Sequence, residues 1–232
     1  MPFKRVWDSS CPRVWDQWED NGTTWVIRDL RPEDDELAIK LLTENLCTDE
    51  VLCEHSKLIE DPLSVESMQD FWRGYLSQRM SLGCYEEKNG QSKLVALNVC
   101  LVICQGEKAD DVILGEKWKN VYGALEVADE KVDAFKCLGL DKLLYALGLV
   151  VSRDYRGARL GARILAARKP LSLYHGIKGT STVFTGPASQ KSAARAGFST
   201  LGTITFKELA DAGLDYPKDE SRAIKVMAMK FE

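Results

Sequence analysis

Residues 143–165, LLYALGLVVSRDYRGARLGARIL, constrain the fold more than any other stretch. An apolar run ends near Ser152, a bend rich in glycine and arginine follows, and the spacing then becomes helical. A strand feeding a glycine-bearing loop and a helix is a unit of layered α/β architecture. The first-turn N–H groups of such a helix lack intrahelical acceptors, and its dipole favours negative charge. Arg156 and Arg159 add guanidinium donors that suit phosphate oxygens. The stretch therefore reads as an anion site between a strand and a helix.

With 232 residues, 45% hydrophobic and 28% charged, the chain can bury one sizeable core. A formal charge of −4 lacks the basic field expected of a nucleic-acid binder and leaves a small cationic substrate open. No apolar run approaches the ~20 residues of a membrane span. The cysteines number seven, an odd count, and the polar, aromatic N-terminus has no secretory apolar core. His55 and His175 are the only histidines and form no zinc-finger spacing with them. The expectation is reduced thiols, no metal and a cytoplasmic protein.

Residues 1–22 read as an irregular leader whose Trp7, Trp15 and Trp18 pack back on the domain, and residues 23–232 as that domain. Residues 23–30 form a first strand, and Pro32 with Glu33, Asp34 and Asp35 opens a helix. Residues 46–58 break the helical pattern and read as a loop. Residues 64–79 are helical, with Phe71, Trp72 and Tyr75 on the apolar face. Residues 84–87 and 94–104 form a hairpin about Asn89-Gly90, the second strand being covered on both faces. Residues 117–135 have helical texture, 143–151 is a strand and 158–169 a helix. A strand over 179–185, a helix over 189–196 capped at Gly197, and strands over 201–206 and 224–231 complete the chain. The excursion over 208–222 is placed beside the active site. This order gives a single α/β domain with a mixed central sheet flanked by helices.

The run Arg156-Gly157-Ala158-Arg159-Leu160-Gly161 resembles the acetyl-CoA signature of the GCN5-related N-acetyltransferase (GNAT) superfamily, with Arg159 standing where glycine is usual. Residues 185–198, TGPASQKSAARAGF, resemble a late segment of the same family. Thr48-Asp49-Glu50 and the terminal IKVMAMKF resemble insect arylalkylamine (dopamine-type) N-acetyltransferases, with Val51 in place of a proline. The resemblance covers most of the chain from Thr23 onward. It implies a splayed sheet and a strand whose backbone at Leu149, Val150 and Val151 meets acetyl-CoA. It also implies pyrophosphate contacts over Arg156, Gly157, Ala158, Arg159, Leu160, Gly161 and Ala162.

The implied reaction is acetyl transfer from acetyl-CoA to the primary amine of a small arylalkylamine, by direct attack in a ternary complex. A polyamine or agmatine acetyltransferase and a non-catalytic CoA-binding module are the alternatives. Glu50 is the candidate base, because an ammonium must lose a proton before it attacks a thioester. Its bland reading is a solvated loop carboxylate, and Asp49 and Glu54 compete with it. Thr185 and Ser189 are candidates to orient the amine or donate to the departing thiolate; helix capping by Ser189 is the bland alternative. Phe71, Trp72, Tyr75 and Met80 read either as an aromatic amine pocket or as ordinary core. The expected partner is a small amine, with no nucleic acid and no membrane, in a monomer or weak dimer.

Overall fold

A computed structural model describes residues 3–107 and 111–231. Residues 1–2 of the expected leader, and 108–110 and 232 of the expected domain, lie outside the described residues. The strands are β1 (Val14–Asp20), β2 (Thr23–Asp29), β3 (Leu82–Lys88), β4 (Gln91–Cys104), β5 (Lys142–Val151), β6 (Gly179–Phe184), β7 (Ser199–Thr205) and β8 (Ala223–Lys230). They form one mixed sheet in the order β1-β2-β3-β4-β5-β6-β8-β7. Every neighbouring pair is antiparallel except β5 and β6. The mixed α/β sheet expected from the sequence is what the chain forms.

Helices cover both faces. On one face lie α1 (Asp35–Asn45), α2 (Val51–Ser56), α3 (Pro62–Leu76) and α4 (Glu116–Lys131). Their buried Leu42, Leu52, Trp72 and Trp118 share a core with Leu97 and Val150 of the sheet. On the other face α6 (Leu160–Tyr174) packs Leu160, Ile164 and Leu171 against Val95, Cys100 and Leu144. Alternate residues of β4 thus enter opposite cores, which is why that strand is apolar on both faces. Beside α6 lies α7 (Pro187–Arg195), while α5 (Ala134–Leu138) and α8 (Phe206–Asp211) are short. All seven cysteines are free thiols.

Several sequence expectations need correction. Residues 1–22 are not irregular throughout, because Val14–Asp20 is the edge strand of the sheet. The signal was Asn21-Gly22: both residues have positive φ, 50° and 73°, as a two-residue hairpin turn requires. Trp18 then stacks on its cross-strand partner Trp25. The expected loop at 46–58 contains α2, a single capped helix too short to show periodicity. The helix expected over 117–135 breaks after Lys131, where Val132 is extended. The helix expected from Ala158 starts at Leu160, and the one expected from Ser189 starts at Pro187, a residue suited to the first helical position.

Candidate active site

The central feature is a gap between β5 and β6. Their parallel ladder has only two residue pairs, Leu144 with Thr180 and Tyr145 with Ser181. Beyond Tyr145 the strands part, and the reason lies on the other edge of β5. Its register with β4 slips, so that Leu147 and Gly148 stand opposite Val99 alone. Gly148 takes φ +114°, and a Cβ there would sit 3.1 Å from Leu42 Cδ2 and 3.2 Å from Trp72 Nε1. Glycine answers both demands. Trp72 Nε1 donates to Leu147 O at 3.1 Å, and Asn98 Nδ2 donates to Gly148 O at 2.9 Å.

The register also fixes which backbone groups face the gap. Ser152 N–H donates to Val95 O at 2.9 Å. Alternation along an antiparallel ladder makes Leu97 and Val150 the next hydrogen-bonded pair. Leu149 and Val151 therefore turn their N–H and C=O groups away from β4, into the gap. Leu149 N–H and Gly148 C=O belong to one trans peptide, so the Asn98 contact and this orientation agree.

Two cavities open on the gap. The inner one, about 110 Å³, has mostly apolar walls that include Leu52, Met68, Trp118, Val121, Leu125 and Leu147. The outer groove, about 460 Å³, runs along the end of β5 past Arg156, Gly157, Arg159, Leu160 and Gly161 to Lys191 and Arg195 of α7. Both touch the same five residues: Leu46, Glu50, Leu149, Thr185 and Ser189. Every residue singled out for catalysis thus sits where the two spaces meet.

Glu50 is held from two sides. It is the N-cap of α2, and its Oε2 accepts from Leu52 N at 3.0 Å and Cys53 N at 2.8 Å. Thr185 Oγ1, just past β6, donates to its Oε1. The solvated-loop reading of Glu50 therefore does not describe its setting. Burial of Cys53, and after it the neighbouring Glu50 carboxylate, push that thiol well above its usual range. Ser189 Oγ donates to Gly186 O at 2.9 Å inside the first turn of α7. Its Oγ also accepts from Gly186 N at 3.4 Å, so Ser189 caps the first turn of α7 from the third helical position while Gly186 is the N-cap residue.

Asp49 faces the groove and pairs with Arg153 and Arg156, each at 2.7 Å. The Arg153 guanidinium, ahead of Thr48 and Arg156, holds its carboxyl below the usual carboxylate range. Arg159 has φ +61°, the left-handed region. That explains why glycine is usual at this place in the signature: the constraint is backbone conformation. The N–H groups at the start of α6 face no side-chain cap from Arg159. Ala158 and Ala162 belong to this loop and first turn but do not line the groove. The whole arrangement can receive an extended ligand with an anionic end and set a second molecule beside a carboxylate.

Other expectations are redirected. Phe71, Trp72, Tyr75 and Met80 line neither cavity, and Met80 is buried in the core on the α6 face. Their place is taken by Trp118 of α4, whose helix was too weakly periodic for it to stand out. The excursion over 208–222 also lines neither cavity. Its Tyr216 packs on His55. Asn98 and Arg168, both in the inner cavity wall, were not singled out either. Arg168 had a signal: it stands between Ile164 and Leu171 on the buried stripe of α6.

No protein-family model matches the chain, and no curated protein matches its sequence. Solved structures do match. A protein of the yellow fever mosquito Aedes aegypti, provisionally assigned as arylalkylamine N-acetyltransferase 7, superposes with TM-score 0.91 at 29% identity, over 99% of this chain and 100% of that one. Arylalkylamine N-acetyltransferase 2 of Aedes aegypti gives 0.76 at 18%, over 92% and 100%. Drosophila melanogaster polyamine N-acetyltransferase, which forms N-acetylagmatine, gives 0.70 at 16%, over 89% and 100%; these last two likenesses bear on the fold alone. The parted strands and the shared architecture define an acetyltransferase fold. The chain has the GCN5-related N-acetyltransferase (GNAT) fold of these neighbours, which are N-acetyltransferases that use acetyl-CoA. Among the described residues no group of three or more metal-ligating side chains is placed to hold a metal ion. No described helix is long and apolar enough to cross a membrane.

Proposed function

We propose that this protein acetylates small arylalkylamines. The carrying observation is the meeting of groove and inner cavity at Glu50, Leu149, Thr185 and Ser189. Acetyl-CoA lies in the groove, its pyrophosphate over Arg156 to Ala162 and its thioester beside Leu149. The amine enters the inner cavity. Glu50 accepts a proton from the ammonium, directly or through water, and the free amine attacks the thioester carbon. A C–N bond forms, the C–S bond breaks, and the coenzyme leaves as a thiolate that takes up a proton. Thr185 orients Glu50 through the hydrogen bond they share, and Ser189 borders the path of the sulfur.

The apolar wall with Trp118 favours a ring over a polyamine. Glu54, Asp129 and Glu130, which a second ammonium would want, do not line the inner cavity. The test is coenzyme release from acetyl-CoA against tyramine, dopamine, serotonin, agmatine and spermidine. At least one aromatic amine should exceed spermidine in kcat/KM. A tenfold preference the other way overturns the aromatic reading. Failure to bind acetyl-CoA at millimolar concentration overturns the enzyme.

A further inference from the structure

Arg168 is fully buried, and none of its hydrogen bonds among the described residues reaches a carboxylate. Its Nε donates to Asn98 Oδ1 at 2.8 Å, and its Nη1 donates to Thr182 Oγ1 at 2.8 Å and Thr180 Oγ1 at 3.2 Å. Nη2 has no partner. A cation held by neutral dipoles and by the face of the Phe198 ring, 5.6 Å away, is an expensive way to join a helix to a sheet. Threonine hydroxyls would be served as well by a neutral amide.

Its position supplies a better reason. Arginine only donates, so the atom of Asn98 that faces it must be the carbonyl oxygen. The amide NH₂ of Asn98 is then committed to Gly148 C=O, 2.9 Å away. Cys100 Sγ reinforces the same oxygen of Asn98 at 3.4 Å. Gly148 C=O and Leu149 N–H are opposite ends of one peptide plane. The chain of donors runs in a single sense, from guanidinium to Asn98, to the peptide, to the N–H in the gap. Each bond polarises the next.

We infer that Arg168 is a positioning residue for acyl transfer, acting through Asn98 to fix and polarise the Gly148–Leu149 peptide so that Leu149 N–H meets the thioester oxygen. This rests on the acetyltransferase reading above. As the amine attacks, the carbonyl electron pair moves onto that oxygen, and the N–H stabilises it until the pair returns and the thiolate leaves. The bulge in β5 turns the carbonyl toward Asn98, and the buried charge gives that contact its strength.

The experiment compares Arg168→Met, Arg168→Lys, Asn98→Ser and the Arg168→Met/Asn98→Ser double variant with wild type, using whichever panel amine wild type acetylates fastest. Arg168→Met is expected to lose about tenfold in kcat. Its acetyl-CoA Kd by calorimetry should stay within about twofold, and its Tm should be level or higher, since an apolar isostere replaces an unpaired charge. The thioester carbonyl stretch of bound ¹³C-acetyl-CoA should move to higher frequency, a signature that a tether role would not change. Arg168→Lys should recover part of kcat. Asn98→Ser should reproduce the loss, and the double variant should be no worse than the larger single one. An unmoved carbonyl band, or kcat within twofold of wild type, overturns the inference. If Arg168→Met does not fold, Asn98→Ser decides by the same two readouts. If wild type neither binds acetyl-CoA nor turns over, the enzyme reading fails first and takes this inference with it.

Discussion

Two buried arginines mark two regions built on opposite principles. Arg5 reaches under the edge of the sheet and binds Asp29 with both nitrogens, at 2.7 and 2.6 Å. Asp29 also accepts from Trp15 Nε1 and Arg13 N, each at 2.7 Å. Charge and lone pairs are satisfied within the chain, so this region is finished. At the gap the balance is reversed. Among the described residues Arg168 bonds no carboxylate, and Leu149 presents its backbone N–H to a cavity. An open donor in a well-packed interior calls for a reason, and at the gap a bound ligand supplies one. A polar network closed on itself secures structure; an open one serves chemistry.

The contrast can be broken at its closed end first. Asp29→Ala strands a buried guanidinium and should cost about 3–5 kcal/mol of stability. Urea unfolding would measure it, and turnover per folded molecule should be unchanged. A loss below about 1 kcal/mol would mean the edge network is not a stabilising element. Glu50→Gln probes the open end. Its amide oxygen can still accept from Leu52 and Cys53, so the melting temperature should barely move while kcat/KM falls about 10²-fold. Near-normal turnover would make Glu50 a bystander and turn attention to Asp49 and Glu54.

Asp49 links the two behaviours, being paired within the chain yet facing the groove. Its carboxyl pKa is depressed in the folded protein, so its stabilisation is complete above the unfolded value of about 3.9 and is lost as pH falls through the folded one. The Tm difference between wild type and Asp49→Asn should be constant near neutrality, equivalent to at most about 1 kcal/mol at this partly exposed site, and should shrink below pH about 4. A difference that grows on acidification would refute the pairing. The smallest effect is expected at Arg159. Arg159→Gly relieves a left-handed backbone and should raise stability by up to about 1 kcal/mol by calorimetry. A fall would show that the side chain contributes more than its backbone costs.

Much of this architecture was legible in the sequence because it is local. The strand–loop–helix over residues 143–165, the Asn89-Gly90 hairpin and the alternation in β4 all arise from neighbours along the chain. Features that depend on distant partners were not legible. Helix α2 is one turn and a half, defined by its Glu50 cap rather than by any repeat. The gap depends on a slip against β4 and on Trp72 and Asn98, neither of which adjoins β5 in sequence. Trp118 reaches the inner cavity because α4 crosses above it. The edge strand β1 is a different case: its signal, Asn21-Gly22, is local, but the strand before it lacks a clean apolar alternation.

The two-pair ladder between β5 and β6 has a consequence for how the protein reports on its own occupancy. Backbone amides at 146–151 that face the gap, and those of 182–185 opposite, lack a strand partner across it. Their exchange with solvent deuterium needs no unfolding of the domain, whereas amides of β3 and β4 exchange only when the sheet itself opens. A molecule filling the gap would therefore be recorded as slowed deuterium uptake at these two short segments, against a silent background from the rest of the sheet.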